Sequence, residues 1–143
     1  MKYLESEKLK RDPALCEGIE GSVSWILREP FIYEYFGRFP RTFNIVEIGS
    51  GRGLFLSRLK DMGFSNLTGV DLGNYLEDKS LEHRIVDLNV EKLPFPDGSL
   101  DVLVGFQILE HLENYFLILQ EAKRTLKKGG LFIYSVPNPF NIF

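Results

Sequence analysis

Three glycines at two-residue spacing, Gly49, Gly51 and Gly53, follow an apolar run, and the carboxylate of Glu47 stands two residues ahead of the first. Glycine tolerates positive φ and lets the backbone approach a ligand closely. A dinucleotide loop wants G-x-G-x-x-G, and here Leu54 takes the third glycine's place. The Gly-Lys-Ser/Thr ending of a phosphate loop is also missing. A pyrophosphate gains nothing from Glu47, whereas a ligand with a positive charge does, because opposite charges at short range attract. Two further carboxylates, Asp71 and Asp87, each follow an apolar run. A carboxylate accepts two hydrogen bonds at once. Glu110 and His111 are the candidate proton acceptors, the imidazole having the appropriate titration range. His83 and His111 have no cysteine or histidine at ligand spacing, so no metal site is expected.

These residues need elements to bring them together. From Phe43 onward the apolar patterning alternates between strand and helix. "FNIVEIG", "NLTGVDLG", "RIVDLN", "LDVLVGF" and "LFIYSVPNP" read as strands, the last closed by Pro137 and Pro139. "LFLSRLKDMGF" reads as a helix stopped at Gly63, and a short crossover helix is expected in "LGNYLEDKSLEH". "QILEHLENYFLILQEAKRTLKKGG" reads as one long helix, with Leu112, Phe116, Leu119, Ala122 and Leu126 inward and its end at Lys127–Gly129. Residues 1–41 form a lead-in to the same domain. They carry an aromatic-rich stretch in which Ser22 caps a helix over Val23–Arg28 and Pro30 opens a second. Residues 42–143 form the core.

The alternation gives an α/β fold, a doubly wound parallel sheet covered on both faces. In such a sheet ligands sit at the carboxyl ends of the strands. The glycine loop, Asp71, Asp87 and the pair Gly105–Phe106 all fall at such ends. Residues distant in sequence therefore meet at one crevice.

The chain has 143 residues, is 44% hydrophobic and 26% charged, and carries a formal net charge of -3. That is the balance of one globular domain, and it disfavours nucleic acid as a partner. A single cysteine, Cys16, and a charged start make the cytoplasm the default location. No apolar run reaches membrane-spanning length.

Taken in order, "VEIGSGRG", "GVDLG", "RIVDLNVEKLPFPDGSLDVLVGFQILEHL" and "LKKGGLFIYSVPNP" resemble the class I S-adenosylmethionine-dependent methyltransferases, nearest the branch rich in small-molecule enzymes. The resemblance covers Phe43 to Pro139 and implies a Rossmann-like sheet. It implies S-adenosylmethionine as cofactor, S-adenosylhomocysteine as product and a small-molecule acceptor. It also assigns residues. The loop Gly49, Ser50, Gly51 and Gly53 would pass under the ribose and methionine. Glu47 would hold the ammonium, directly or through water, and Asp71, with Leu72 beside it, the ribose hydroxyls. Asp87 would take the adenine amino group, with the Leu88 amide near the ring. Gly105 and Phe106 would lie near the methionine, and Gln107 near the reaction centre.

The family sheet carries seven strands; here five parallel strands in the order 3-2-1-4-5 are expected, without the sixth and seventh. An apolar strand-five edge invites a second copy or another partner to cover it. Two rival readings stay open: a cofactor-binding protein that needs a partner or a missing region for activity, and a nicotinamide-dependent oxidoreductase.

Overall fold

The structure is a computed structural model that describes residues 30–136. The readings placed on Cys16, on Ser22 with its helix, and on Pro137 and Pro139 lie outside the described residues. Five strands form one parallel sheet: β1 (Asn44–Ile48), β2 (Asn66–Asp71), β3 (Glu82–Ile85), β4 (Leu100–Phe106) and β5 (Leu126–Ser135). Their order is β3-β2-β1-β4-β5, with β1 central, as the family resemblance implies. β1 and β4 consist largely of β-branched and leucine residues because both their faces are covered.

Helix α1 (Leu54–Asp61) covers one face and α2 (Tyr115–Thr125) the other. Phe55, Leu56 and Leu59 of α1 are buried against Ile45, Val102 and Val104. Each such side chain contributes about 1.5–3 kcal/mol by leaving water. A short π-helical turn, Ile32–Phe36, follows Pro30 and seats Phe36 edge-on to Phe55 at 5.3 Å. On the opposite face Ile118 and Ala122 of α2 pack with Val46, Ile48 and Leu103.

Three expectations fail. No helix joins β2 to β3. The crossover is instead an irregular strap held by side chains. Leu76 is buried, Arg52 pairs with Glu77, and Lys60 reaches Asp78 Oδ2 at 2.6 Å. Asp78 also accepts from the Ser80 amide, so its carboxylate replaces a helical turn, and the Lys60 hydrogen bond holds its pKa well below the usual range. β3 starts earlier than expected and ends at Ile85, because Asp87 turns the chain: its carbonyl accepts from Val90 and Glu91.

The long helix is broken. Gln107 takes a left-handed φ of 53°, a 3-10 turn covers Leu109–His111, and Leu112 is extended. α2 starts only at Tyr115, after Asn89 Oδ1 has accepted from the amides of Glu113 and Asn114. It ends at Thr125, and Lys127–Gly129 lie in β5. Its buried stripe is Ile118, Glu121, Ala122 and Thr125, while Phe116 and Leu119 are exposed. Two polar residues hold inward positions that a purely apolar stripe would have claimed.

Candidate active site

The carboxyl ends of β1, β2 and β4 bring together most of the residues singled out above. The glycine loop leaves β1 by continuing its pairing: the amides of Gly49 and Ser50 donate to the Val70 carbonyl at 2.8 and 3.2 Å. Gly49 and Gly53 then turn with φ of 67° and 80°. Neither position has room for a side chain. A Cβ on Gly49 would meet Ile108 Cγ1 at 2.8 Å, and one on Gly53 would meet Leu76 Cδ2 at 2.5 Å. The spaced glycines thus let the loop lie directly on two buried aliphatic side chains, Ile108 after β4 and Leu76 in the crossover strap. Sequence reasoning missed both, because Ile108 and Leu76 look like ordinary core residues.

Asp71, at the end of β2, is almost fully buried at 3% exposure. Its Oδ2 accepts from the Gly51 amide at 3.0 Å and its Oδ1 from the Leu72 amide at 2.7 Å. The carboxylate therefore locks the glycine loop to β2. Glu47 is buried in β1, paired in register with Gly69 and Val104.

Asp87 lies beyond the end of β3, and its Oδ1 accepts from the Asn89 amide at 3.0 Å. Asn89 carries this turn across to the start of α2 through its bonds to Glu113 and Asn114. Leu88 is buried below it. Gly105 and Phe106 end β4. Phe106 meets Phe55 edge-on at 5.1 Å, and a Cβ on Gly105 would press on Ile48 and Ile108 at 3.1 Å. Glu110 and His111 stand exposed on the 3-10 turn.

Gln107 is, among the described residues, the non-glycine with positive φ. Its amide donates to the Ser135 carbonyl at 3.0 Å and its Nε2 to Ser135 Oγ at 3.4 Å, so β5 fixes the strained residue. A left-handed residue with a Cβ costs about 1–2 kcal/mol. Gln107→Gly is therefore expected to leave stability unchanged or raise it by about 1 kcal/mol, and Gln107→Val to lower it by about 2 kcal/mol. Urea denaturation of both variants checks this.

Residues 46–134 match the methyltransferase domain family. The chain belongs to the class I S-adenosylmethionine-dependent methyltransferases. It is 30% identical over 118 residues to a protein of Mycolicibacterium smegmatis named a probable S-adenosylmethionine-dependent methyltransferase, covering 80% of this chain and 46% of that one. A methyltransferase structure from Methanococcus maripaludis superposes with a TM-score of 0.70 at 18% identity, covering 89% of this chain and 64% of that one. A complex between the Haloferax volcanii Trm112 methyltransferase activator and a methyltransferase matches with a TM-score of 0.60 at 25% identity, over 76% and 54% of the two chains. The chain spans about half the length of the curated relatives it matches. Family membership agrees with the G-x-G-x-G spacing, which a dinucleotide loop does not share. Among the described residues no helix is long and apolar enough to cross a membrane, and no group of acidic, histidine or cysteine side chains could hold a metal ion.

Proposed function

We propose that the protein binds S-adenosylmethionine over its glycine loop and transfers the methyl group to a small-molecule acceptor. The observation that carries this is the Asp71 carboxylate, buried at the end of β2 and bonded to the loop it would share with the ligand. In this reading Asp71 accepts from the ribose hydroxyls, with Leu72 beside the sugar. Gly49, Ser50, Gly51 and Gly53 pass beneath ribose and methionine. Glu47 supplies negative charge toward the ammonium. Asp87 and the Leu88 amide meet the adenine. Gly105, Phe106 and Gln107 flank the methionine end.

Methyl transfer from a sulfonium displaces a neutral thioether in line, so the cofactor supplies an activated electrophile. The chain's contribution is then alignment of the acceptor and exclusion of water. An oxygen or nitrogen acceptor also gives up a proton. Glu110 and His111 stand nearest in sequence to that end, yet their exposure leaves bulk water competing for the role. The net charge of -3 disfavours a nucleic-acid acceptor.

A second reading has support of its own. One structural relative is held in complex with an activator, and β5 forms an edge of the described sheet with Tyr134 and Val136 exposed. In that reading the chain holds the cofactor, and a partner or second copy on this edge completes the site. Calorimetry with S-adenosylhomocysteine and with NAD separates the cofactor classes. We expect binding of the first alone; stabilisation by NAD alone would sink the methyltransferase reading. Binding without methyl transfer to any acceptor tested, together with activity restored by a partner, would favour the second reading.

A further inference from the structure

Ser135 closes β5, and the proposed function gives it no task. Along a strand, side chains alternate between the two faces. Leu131 and Ile133 of β5 pack with the α1 cluster, whereas Phe132 packs with the α2 cluster. Two positions after Ile133, the Ser135 side chain therefore stands on the α1 face. Phe106, in register with Ser135 at the end of β4, packs on that face too. Leu67 places Asp71, four positions on, on the same face at the end of β2. Ser135 thus belongs to the row of carboxyl-end residues that includes Asp71 and Phe106.

Gln107 reaches this serine from a strained backbone. Its φ of 53° is held by the hydrogen bond from its amide to the Ser135 carbonyl, and its Nε2 donates to Ser135 Oγ at 3.4 Å. Glycine would adopt this conformation at no steric cost, so the amide side chain is present against the backbone's preference. Residues held in this way cluster at active sites and ligand clamps. The side-chain bond is long, and it uses one amide N–H and one hydroxyl lone pair. The Ser135 O–H and the Gln107 Oε1 remain, on two partly exposed side chains, and neither has a further partner among the described residues.

We propose that Ser135 is a specificity-determining residue for the methyl acceptor: together with Gln107 it seats a neutral hydroxyl group. A role in acceptor binding rests on the methyltransferase reading. A hydroxyl both donates and accepts, so it can accept from the Ser135 O–H and donate to Gln107 Oε1 at once. A carboxylate has no hydrogen to donate, and an ammonium group has no lone pair with which to accept. The fixed charges on the same face, Glu47 of β1 and Asp71 of β2, are both acidic and repel a carboxylate further. The pair thus selects a hydroxyl over an acid by its own hydrogen-bonding pattern.

The test titrates phenol and fluorobenzene, the same ring with and without a hydroxyl, into the full 143-residue chain saturated with S-adenosylhomocysteine. Ligand-observed NMR reads both affinities, and calorimetry reads that of S-adenosylhomocysteine. Ser135→Ala is expected to weaken phenol about three- to tenfold, the worth of one neutral hydrogen bond. Fluorobenzene and S-adenosylhomocysteine should change less than about twofold, because neither uses the hydroxyl. Ser135→Thr keeps the hydroxyl and should stay within about twofold of the wild type for phenol. Gln107→Gly, which relieves the backbone, should weaken phenol about as much as Ser135→Ala does. Three results overturn the proposal: a wild type that does not bind phenol, a Ser135→Ala that binds it as the wild type does, or an equal loss of phenol and fluorobenzene. Failure of every form to bind S-adenosylhomocysteine overturns the methyltransferase reading instead.

Discussion

Asp71→Ala is expected to abolish binding of S-adenosylhomocysteine, weakening it by about 100-fold or more, and to destabilise the fold by about 2–4 kcal/mol. The two losses have separate origins. Stability falls because the amides of Gly51 and Leu72 lose the acceptors that hold them at 3.0 and 2.7 Å. In the proposed function binding falls because the ribose loses the acceptor that Asp71 would supply and the loop loses its anchor. Asp71→Asn separates them. Its carbonyl oxygen can satisfy one amide, while its NH2 group faces the other donor to donor. We expect about half the loss of stability, but still at least about a tenfold loss of binding, because a charged acceptor is roughly twice as strong as a neutral one. Urea denaturation and calorimetry on both variants read the two effects. Wild-type affinity in a folded Asp71→Asn would remove the ribose contact from the proposed function.

The parallel sheet and the gathering of Glu47, the glycine loop, Asp71 and Gly105–Phe106 were legible in the sequence, because they rest on strong signals, while the strand order came from the family resemblance. Runs such as "NIVEI" and "LDVLVGF" are too apolar to be anything but buried strands, and glycines at alternating positions mark where a side chain would collide. Parallel connectivity then places the strand ends on one side without further information.

What the sequence hid is held by polar side chains acting at long range. Apolar periodicity placed Phe116 and Leu119 inward, yet the helix turns Glu121 and Thr125 to the core. Thr125 is satisfied by its own helix, donating to the Glu121 carbonyl at 2.7 Å. Asn89 cuts the expected helix short by capturing amides 24 and 25 residues away. The strap between Asp71 and Glu82 replaces a helix with ion pairs to Arg52 and Lys60. The Asn89 and strap contacts join residues far apart in the chain, so no window of sequence reveals them.

Glu121→Ala is expected to cost about 3–5 kcal/mol, because it removes the buried carboxylate of the Arg124 guanidinium, leaving only the exposed Asp97, and strips the Leu93 amide of its acceptor. Glu121 is 3% exposed. Its Oε2 accepts from the Leu93 amide at 2.9 Å and from Arg124 Nη2 at 2.6 Å, and its Oε1 from Arg124 Nε at 2.9 Å. Arg124 also donates to the carbonyls of Leu93 and Phe95 and to Asp97, so the pair clamps the segment before β4 onto α2. A lysine cannot reproduce this planar fork, and Arg124→Lys should recover little of the loss caused by Arg124→Ala. The Arg124 hydrogen bonds, reinforced by the Leu93 amide and opposed by burial, hold the Glu121 pKa below its ordinary value of 4.5. A carboxylate depressed in the folded state stabilises above its unfolded pKa, and that stabilisation is lost as pH falls through the folded pKa. Wild-type stability should therefore decline as the pH drops below about 4.5, while Glu121→Gln, less stable at neutral pH, should decline more gently over the same range. Urea midpoints across this acid range measure the difference, and equal slopes in the two proteins would assign the acid sensitivity to another group. The same segment leads back to Asp87 and Leu88. If the clamp also holds the adenine wall in place, Glu121→Gln should weaken S-adenosylhomocysteine at neutral pH by about three- to tenfold while the protein stays folded, as an adenine contact displaced by its support requires.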